Sequence, residues 1–247
     1  MTLPAGIAAY NRAHMGKLAA SILSSDLAHL ADEVKLVEPY ADIIHIDIMD
    51  GHFVPPIALG TVVVASLRRW TDRVLHGHLM VDEPAAYFEE LADAGLDVVS
   101  FHHEAVADPE PAIAKARAAG LRTGVTLNLE TPVDAAFPYL DQLDDLMLMS
   151  IRPGWSGQEL DPDVYPRIAA VRAEVDRRGL PVDVEIDGGV KVDNAQRAVD
   201  AGATVLVSAS GIYQAPDKVE AARTLAAIAR GDDAGSHGPS DHRREAD

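Results

Sequence analysis

Leu18-Ala19-Ala20-Ser21-Ile22-Leu23 is an apolar run that ends in Ser24-Ser25-Asp26. That ending separates two folds. An open doubly wound sheet carries a glycine-rich turn after its first strand. Ser24-Ser25-Asp26 has no glycine, and Asp26 reads instead as the start signal of a helix over residues 28–37. Working outward, seven more strand-like runs follow, at 43–48, 74–79, 98–101, 123–127, 146–149, 182–186 and 205–207. Helical stretches alternate with them, at 61–69, 84–94, 109–119, 132–140, 162–178, 193–201 and 217–230. Asp82 ahead of Pro84 reads as a second start signal, and Gly95, Gly120, Gly179 and Gly202 read as helix ends. Eight strands, each followed by a helix, are what a closed (β/α)8 TIM barrel requires.

The 247-residue length suits one such barrel. The expected domains are an N-terminal extension at 1–17, the barrel at 18–230 and a disordered tail at 231–247. The tail is polar and lacks apolar periodicity, and its His237 and His242 read as solvated. No cysteine is present, which excludes disulfides, thiolate ligands and a cysteine nucleophile, and agrees with a cytoplasmic location. A net charge of −18 argues against nucleic acid as a partner. It also repels a phosphorylated sugar at long range, so a phosphate must be held locally by backbone N–H groups. No apolar run approaches the roughly 20 residues that span a bilayer, and residues 1–17 do not read as a secretory signal.

Active sites of these barrels lie at the C-terminal ends of the strands. The second run reads Ile43-Ile44-His45-Ile46-Asp47-Ile48-Met49-Asp50-Gly51-His52. Side chains alternate along a strand, so His45 and Asp47 share the face opposite Ile44, Ile46 and Ile48. Isoleucines packed under helices would leave His45 and Asp47 pointing inward. A metal would satisfy both, and an internal His–Asp hydrogen bond would do so equally well. His76 and His78 share a face of the third run, with His78 nearer the mouth. Asp187 is the last inward position of the seventh and precedes Gly188-Gly189. Together, two histidines and two aspartates make a plausible site for one divalent ion such as zinc, iron, manganese or cobalt. Two aspartates across a barrel mouth also suit two-base proton transfer at carbon, with a metal polarising substrate oxygens and stabilising an enediolate.

After the sixth run, Arg152-Pro153-Gly154-Trp155-Ser156-Gly157-Gln158 reads as a mobile lid rather than an ordinary surface turn. The turns after the last two runs offer Gly188-Gly189 and Ser208-Ala209-Ser210-Gly211 to a phosphate. Neither contains lysine or arginine.

Residues 45–55, His-Ile-Asp-Ile-Met-Asp-Gly-His-Phe-Val-Pro, resemble the ribulose-phosphate 3-epimerase family. His78-Leu79-Met80, Asn128 with Thr131-Pro132, Met149-Ser150 and Glu185-Ile186-Asp187-Gly188-Gly189 follow in the family's order. The likeness covers about residues 18–230. It implies that His45, Asp47, His78 and Asp187 bind the metal, and that Asp47 and Asp187 are the acid/base pair. It implies that Ser21 contacts substrate and that Met49, Met80 and Met149 line the apolar side of the site. Gly188, Gly189, Ser210 and the lid, including Gly154 and Gly157, would enclose the phosphate. The implied activity is interconversion of D-ribulose 5-phosphate and D-xylulose 5-phosphate by a metal-dependent isomerase of carbohydrate metabolism, working as a homo-oligomer. The chain departs from the family at Ala20, Pro56, His76, Arg152, the Gly154–Gly157 lid and Ala209. The altered lid, Arg152 and Ala209 motivate an alternative ketose phosphate, such as D-allulose 6-phosphate. A non-catalytic sugar-phosphate-binding paralog is a third reading, weakened because all four candidate ligands are present.

Overall fold

The computed structural model describes residues 16–232. The expected tail from 233 onward, and the expected extension up to residue 15, lie outside the described residues. Eight parallel strands close on themselves: β1 (Lys17–Ser21), β2 (Ile43–Asp50), β3 (Val74–Met80), β4 (Val98–His102), β5 (Arg122–Leu127), β6 (Asp145–Met149), β7 (Asp183–Asp187) and β8 (Val205–Ser208). Each pairs with the next, and β8 pairs back onto β1. Lys17, assigned to the extension from sequence, opens β1. A two-residue strand, Ile57–Ala58, adds antiparallel to the end of β2.

Strand alternation builds the layers. Ile44, Ile46 and Ile48 of β2 join Leu75 and Leu79 of β3, Phe101 of β4 and Ile186 of β7 in the main core, under the helices. Burying one such side chain stabilises the fold by about 1.5–3 kcal/mol. The opposite faces fill the barrel interior. Ala19, Ile43, Val205 and Val207 form a small separate apolar cluster. Much of the rest of the interior is polar: His45, Asp47, His76, His78, Ser100, His102, Asp145 and Glu185 are all buried, beside Met49, Met80, Met147 and Met149.

Helix starts and stops follow backbone chemistry. Asp26, Asp108 and Asp217 accept hydrogen bonds from Ala28, Glu110 and Glu220 N–H groups. Gly179 and Gly202 end their helices in the left-handed region. Four expectations need correction. Asp82 caps nothing; its N–H donates to Asp50 Oδ2, and left-handed Glu83 precedes the turn Pro84–Ala86. That stretch then divides into this turn and a helix, Phe88–Asp93. The stretch 132–140 is not an α-helix but a 3-10 segment, Val133–Gln142, because Pro138 removes a donor and crowds the preceding turn. Residues 28–37 begin with a 3-10 turn, Leu27–His29, before the helix Leu30–Val37. A four-residue helix, Ser210–Tyr213, follows β8 and has no signal in the apolar pattern.

Candidate metal centre and active site

The C-terminal ends of β1, β2, β3 and β7 bring the central residues together. Ser21 of β1 donates from Oγ to Asp47 Oδ2 of β2 at 2.7 Å. Asp47 sits beside His78 of β3 in the strand register. Asp187 of β7 completes the ring from across the barrel. His78 Nδ1 lies 3.2 Å from Asp187 Oδ2 and 3.4 Å from Asp47 Oδ1. His45 Nε2 lies 3.6 Å from Asp47 Oδ1 and 3.8 Å from Asp187 Oδ2.

Those distances test whether a cation fits. His45 Nε2 and His78 Nδ1 are buried and have no hydrogen-bond partner. An orphaned buried nitrogen costs about 1–3 kcal/mol, so the geometry calls for something between the rings and the carboxylates. One donor atom from each of His45, Asp47, His78 and Asp187 lies within 4.8 Å of all the others. Donors held at about 2.0–2.2 Å around a tetrahedral ion would be spaced similarly. The four residues could hold a metal.

Electrostatics agree with that geometry. Burial alone would raise the Asp47 carboxyl, but the His45 and His78 imidazoles outweigh it and hold it well below the usual carboxylate range. Burial opposes protonation of His78, yet hydrogen bonding and charge from Asp187 and Asp47 push it up to about 9. The His78 ring sits where positive charge is wanted.

One small cavity, about 30 Å3, opens above this ring. Asp47 and Asp187 line it, and so do Ser21, Met49, Met80, Met149, Gly154, Gly157, Gly188, Gly189 and Ser210. His45 and His78 lie beneath it, fully buried. The space holds little more than a water. What closes it is the 152–158 loop: Ser156 Oγ accepts from Ser24 Oγ at 2.8 Å, and Gln158 Nε2 donates to the Arg152 and Trp155 carbonyls at 2.8 Å each. Trp155 is 50% exposed. Gly188 has φ +119, and a Cβ there would stand 2.4 Å from Ile151 Cγ1. The floor of the cavity therefore admits only glycine at that point.

Three further residues escaped the sequence reading as site residues. His102 of β4 places its Nε2 2.9 Å from His78 Nε2, and its Nδ1 3.3 Å from Glu104 Oε2. Burial lowers His102 to about 4, which keeps the ring neutral. Glu104 also accepts from the Asn128 N–H and the Thr131 hydroxyl. Burial would raise its carboxyl, but these donors and His102 hold it down at about 2. Glu185 of β7 lies beneath His45. Alternation could have found all but Glu104, since Ser100 and His102 share one face of β4, as Glu185 and Asp187 share one face of β7.

Known proteins are similar to this chain. Residues 17–213 match the model of the "Ribulose-phosphate 3 epimerase family". A ribulose-phosphate 3-epimerase of Synechocystis sp. is 41% identical over 207 residues, covering 83% of this chain and 90% of that protein. The Bacillus subtilis enzyme of that name is 42% identical over 209 residues, covering 84% and 96%. Among solved structures, KGPDC from Streptococcus mutans superimposes with a TM-score of 0.64 at 18% identity, covering 88% and 98%. The 3-hexulose-6-phosphate synthase of Salmonella typhimurium does so with 0.67 at 18%, covering 86% and 98%. At such identities the structural likeness speaks for the barrel alone, whereas the sequence matches run through the strands that carry the four candidate ligands. The chain belongs to the ribulose-phosphate 3-epimerase family.

Proposed function

We propose that this protein is a metal-dependent 3-epimerase that interconverts D-ribulose 5-phosphate and D-xylulose 5-phosphate. The observation that carries the reading is the convergence of two orphaned imidazole nitrogens and two carboxylates under a glycine-lined cavity, in a chain about 40% identical to curated epimerases of that name.

His45, Asp47, His78 and Asp187 would hold one divalent ion: zinc, iron, manganese or cobalt. Once bound, that ion supplies Lewis acidity to the oxygens flanking the reacting carbon. The chain's own groups do the rest. Ser21 donates to Asp47, which favours the ionised carboxylate and suits Asp47 to take the C3 proton. Asp187 then returns a proton to the opposite face, and the two exchange roles in the reverse direction. Met49, Met80 and Met149 keep water from the site of proton transfer. Backbone N–H groups around Gly188, Gly189 and Ser210 take the phosphate, with the lid closed over it.

No helix among the described residues is long and apolar enough to cross a membrane. A cytoplasmic homo-oligomer acting on a small sugar phosphate, without nucleic-acid or membrane partners, completes this reading. A six-carbon substrate is the second reading. A separate cavity of about 490 Å3, lined by Asn128, Glu130, Arg152 and Trp155, adjoins the lid and offers room for a longer sugar.

The test is metal-loaded protein with ribulose 5-phosphate in D2O, followed by NMR. Deuterium at C3 with formation of xylulose 5-phosphate supports the first reading. No exchange, but turnover of a hexulose phosphate, replaces it with the second.

A further inference from the structure

Beneath the proposed metal centre, the barrel interior holds a second group of facing donors. His45 Nδ1 lies 3.6 Å from Glu185 Oε1, and His76 Nδ1 lies 3.6 Å from Glu185 Oε2. All three residues are buried to at least 99%. His45 Nδ1 and Glu185 Oε1 have no hydrogen-bond partner.

Hydrogen-bond direction fixes the state of His76. With Asp145 ionised, Ser100 Oγ donates to Asp145 Oδ2 at 2.8 Å and offers only a lone pair to His76 Nε2 at 2.7 Å. His76 therefore carries its proton on Nε2. Its bare Nδ1 lone pair then faces the Glu185 carboxylate. Lone pairs of both groups thus face one buried space, and a cation placed there would be ligated by both.

A route to this place exists. A cavity of about 180 Å3 at the N-terminal ends of the strands is lined by His76 and Glu185. Asp42, Asp144, Asp145 and Asp183 also line it, against Lys17 and Arg122. That excess of carboxylates draws cations, and the volume accommodates water.

We propose that His45 Nδ1, His76 Nδ1 and Glu185 bind a second divalent ion, of the zinc or cobalt kind. One donor atom from each of these residues lies within 4.8 Å of the others. Two imidazoles and one carboxylate, with a fourth position open to water in the basal cavity, form a set that zinc accepts. His45 bridges the two ions through its two ring nitrogens when both sites are filled. Its Nδ1 proton then leaves to solvent, as ligand protons do on metal binding. The site depends on the proposed first centre only through that shared ring.

Metal-free full-length protein would be titrated with cobalt(II), following visible absorption, with zinc counted in parallel after equilibrium dialysis. The expected result is two equivalents bound, the second accompanied by proton release. In His76→Gln the side-chain amide can still donate to Ser100 but offers no Nδ1; one equivalent is expected, with epimerase activity retained. One equivalent in the unaltered protein overturns the second site and leaves the first standing. None overturns both. Two equivalents in both proteins overturn the assignment to His76. Should His76→Gln fail to fold, the count in the unaltered protein still decides.

Discussion

His78 Nε2 meets His102 Nε2 at 2.9 Å, and only one of those nitrogens can hold a proton. Glu104 decides which. Its carboxylate faces His102 Nδ1 and draws the proton there, leaving His102 Nε2 as an acceptor. His78 then donates from Nε2, and once a metal displaces its second proton it presents a bare Nδ1 to the centre of the ring. A carboxylate two rings away thus selects the tautomer that can bind metal.

Replacing Glu104 by glutamine removes that selection, because an amide can donate as readily as accept. Metal affinity should fall by about 10–100-fold. Competition against a chelator measures it, with thermal unfolding as a control. Unchanged affinity would show that Glu104 does not set the tautomer.

Asp187→Asn should cut turnover by roughly 10²–10⁴-fold, since it removes one of the two proposed proton-transfer groups. The fold should survive, because Asp187 lies at the mouth of the barrel, with its side chain 14% exposed. A coupled epimerase assay and circular dichroism provide the readouts. Normal turnover in this variant sinks the two-base assignment.

Gly188→Ala places a Cβ 2.4 Å from Ile151 Cγ1 at φ +119. The expected destabilisation is about 1–3 kcal/mol. For a domain of this size each kcal/mol lowers Tm by about 2–4 °C. Because Gly188 also lines the small cavity, KM should rise as well. A variant with unaltered Tm would mean that Ile151 moves aside freely.

Stability should also depend on pH through Asp145. Burial raises its carboxyl to about 7 in the folded protein, from 3.8 as the ordinary value. Between those values the folded state binds more protons than the unfolded chain. Its contribution is therefore present below about pH 4 and is lost as pH rises through 7. Asp145→Asn, uncharged at every pH, should flatten the slope over that window and stabilise the metal-free protein at pH 8. Urea unfolding at pH 5 and pH 8 tests this, and equal slopes in both proteins would contradict it.

The lid carries its own reporter. The chain has two tryptophans, and Trp155 stands on the loop that closes the site. In Trp70→Phe the remaining fluorescence comes from Trp155 alone. Adding a sugar phosphate must displace a loop that now leaves about 30 Å3, so the emission should shift on binding. A spectrum that stays constant at saturation would mean the loop does not move.

The barrel was legible because its code is local. Each strand announces itself by a short apolar run, and glycine or aspartate marks many of the helix ends. Misreadings fell where one residue overrides the pattern, as Pro138 does in the 3-10 segment Val133–Gln142. At Asp82 a helix-start signal was overruled by a long-range bond from its N–H to Asp50. His45, Asp47, His78 and Asp187 could be picked out because a polar side chain on the inward face of an apolar strand needs a partner to offset its burial.

Reading along the chain was enough to give the strand count, the inward faces of β2, β3 and β7 and the family to which those residues belong. How the four candidate ligands aim at one another was settled only when the barrel closed. Their distances depend on barrel stagger, which brings Asp187 of β7 across to His78 of β3. The Glu104–His102–His78 chain and the basal cluster of His76, Ser100, Asp145 and Glu185 were settled in the same way. Each joins residues from more than one strand, and periodicity along one strand carries no record of what stands beside or opposite it once the sheet has closed.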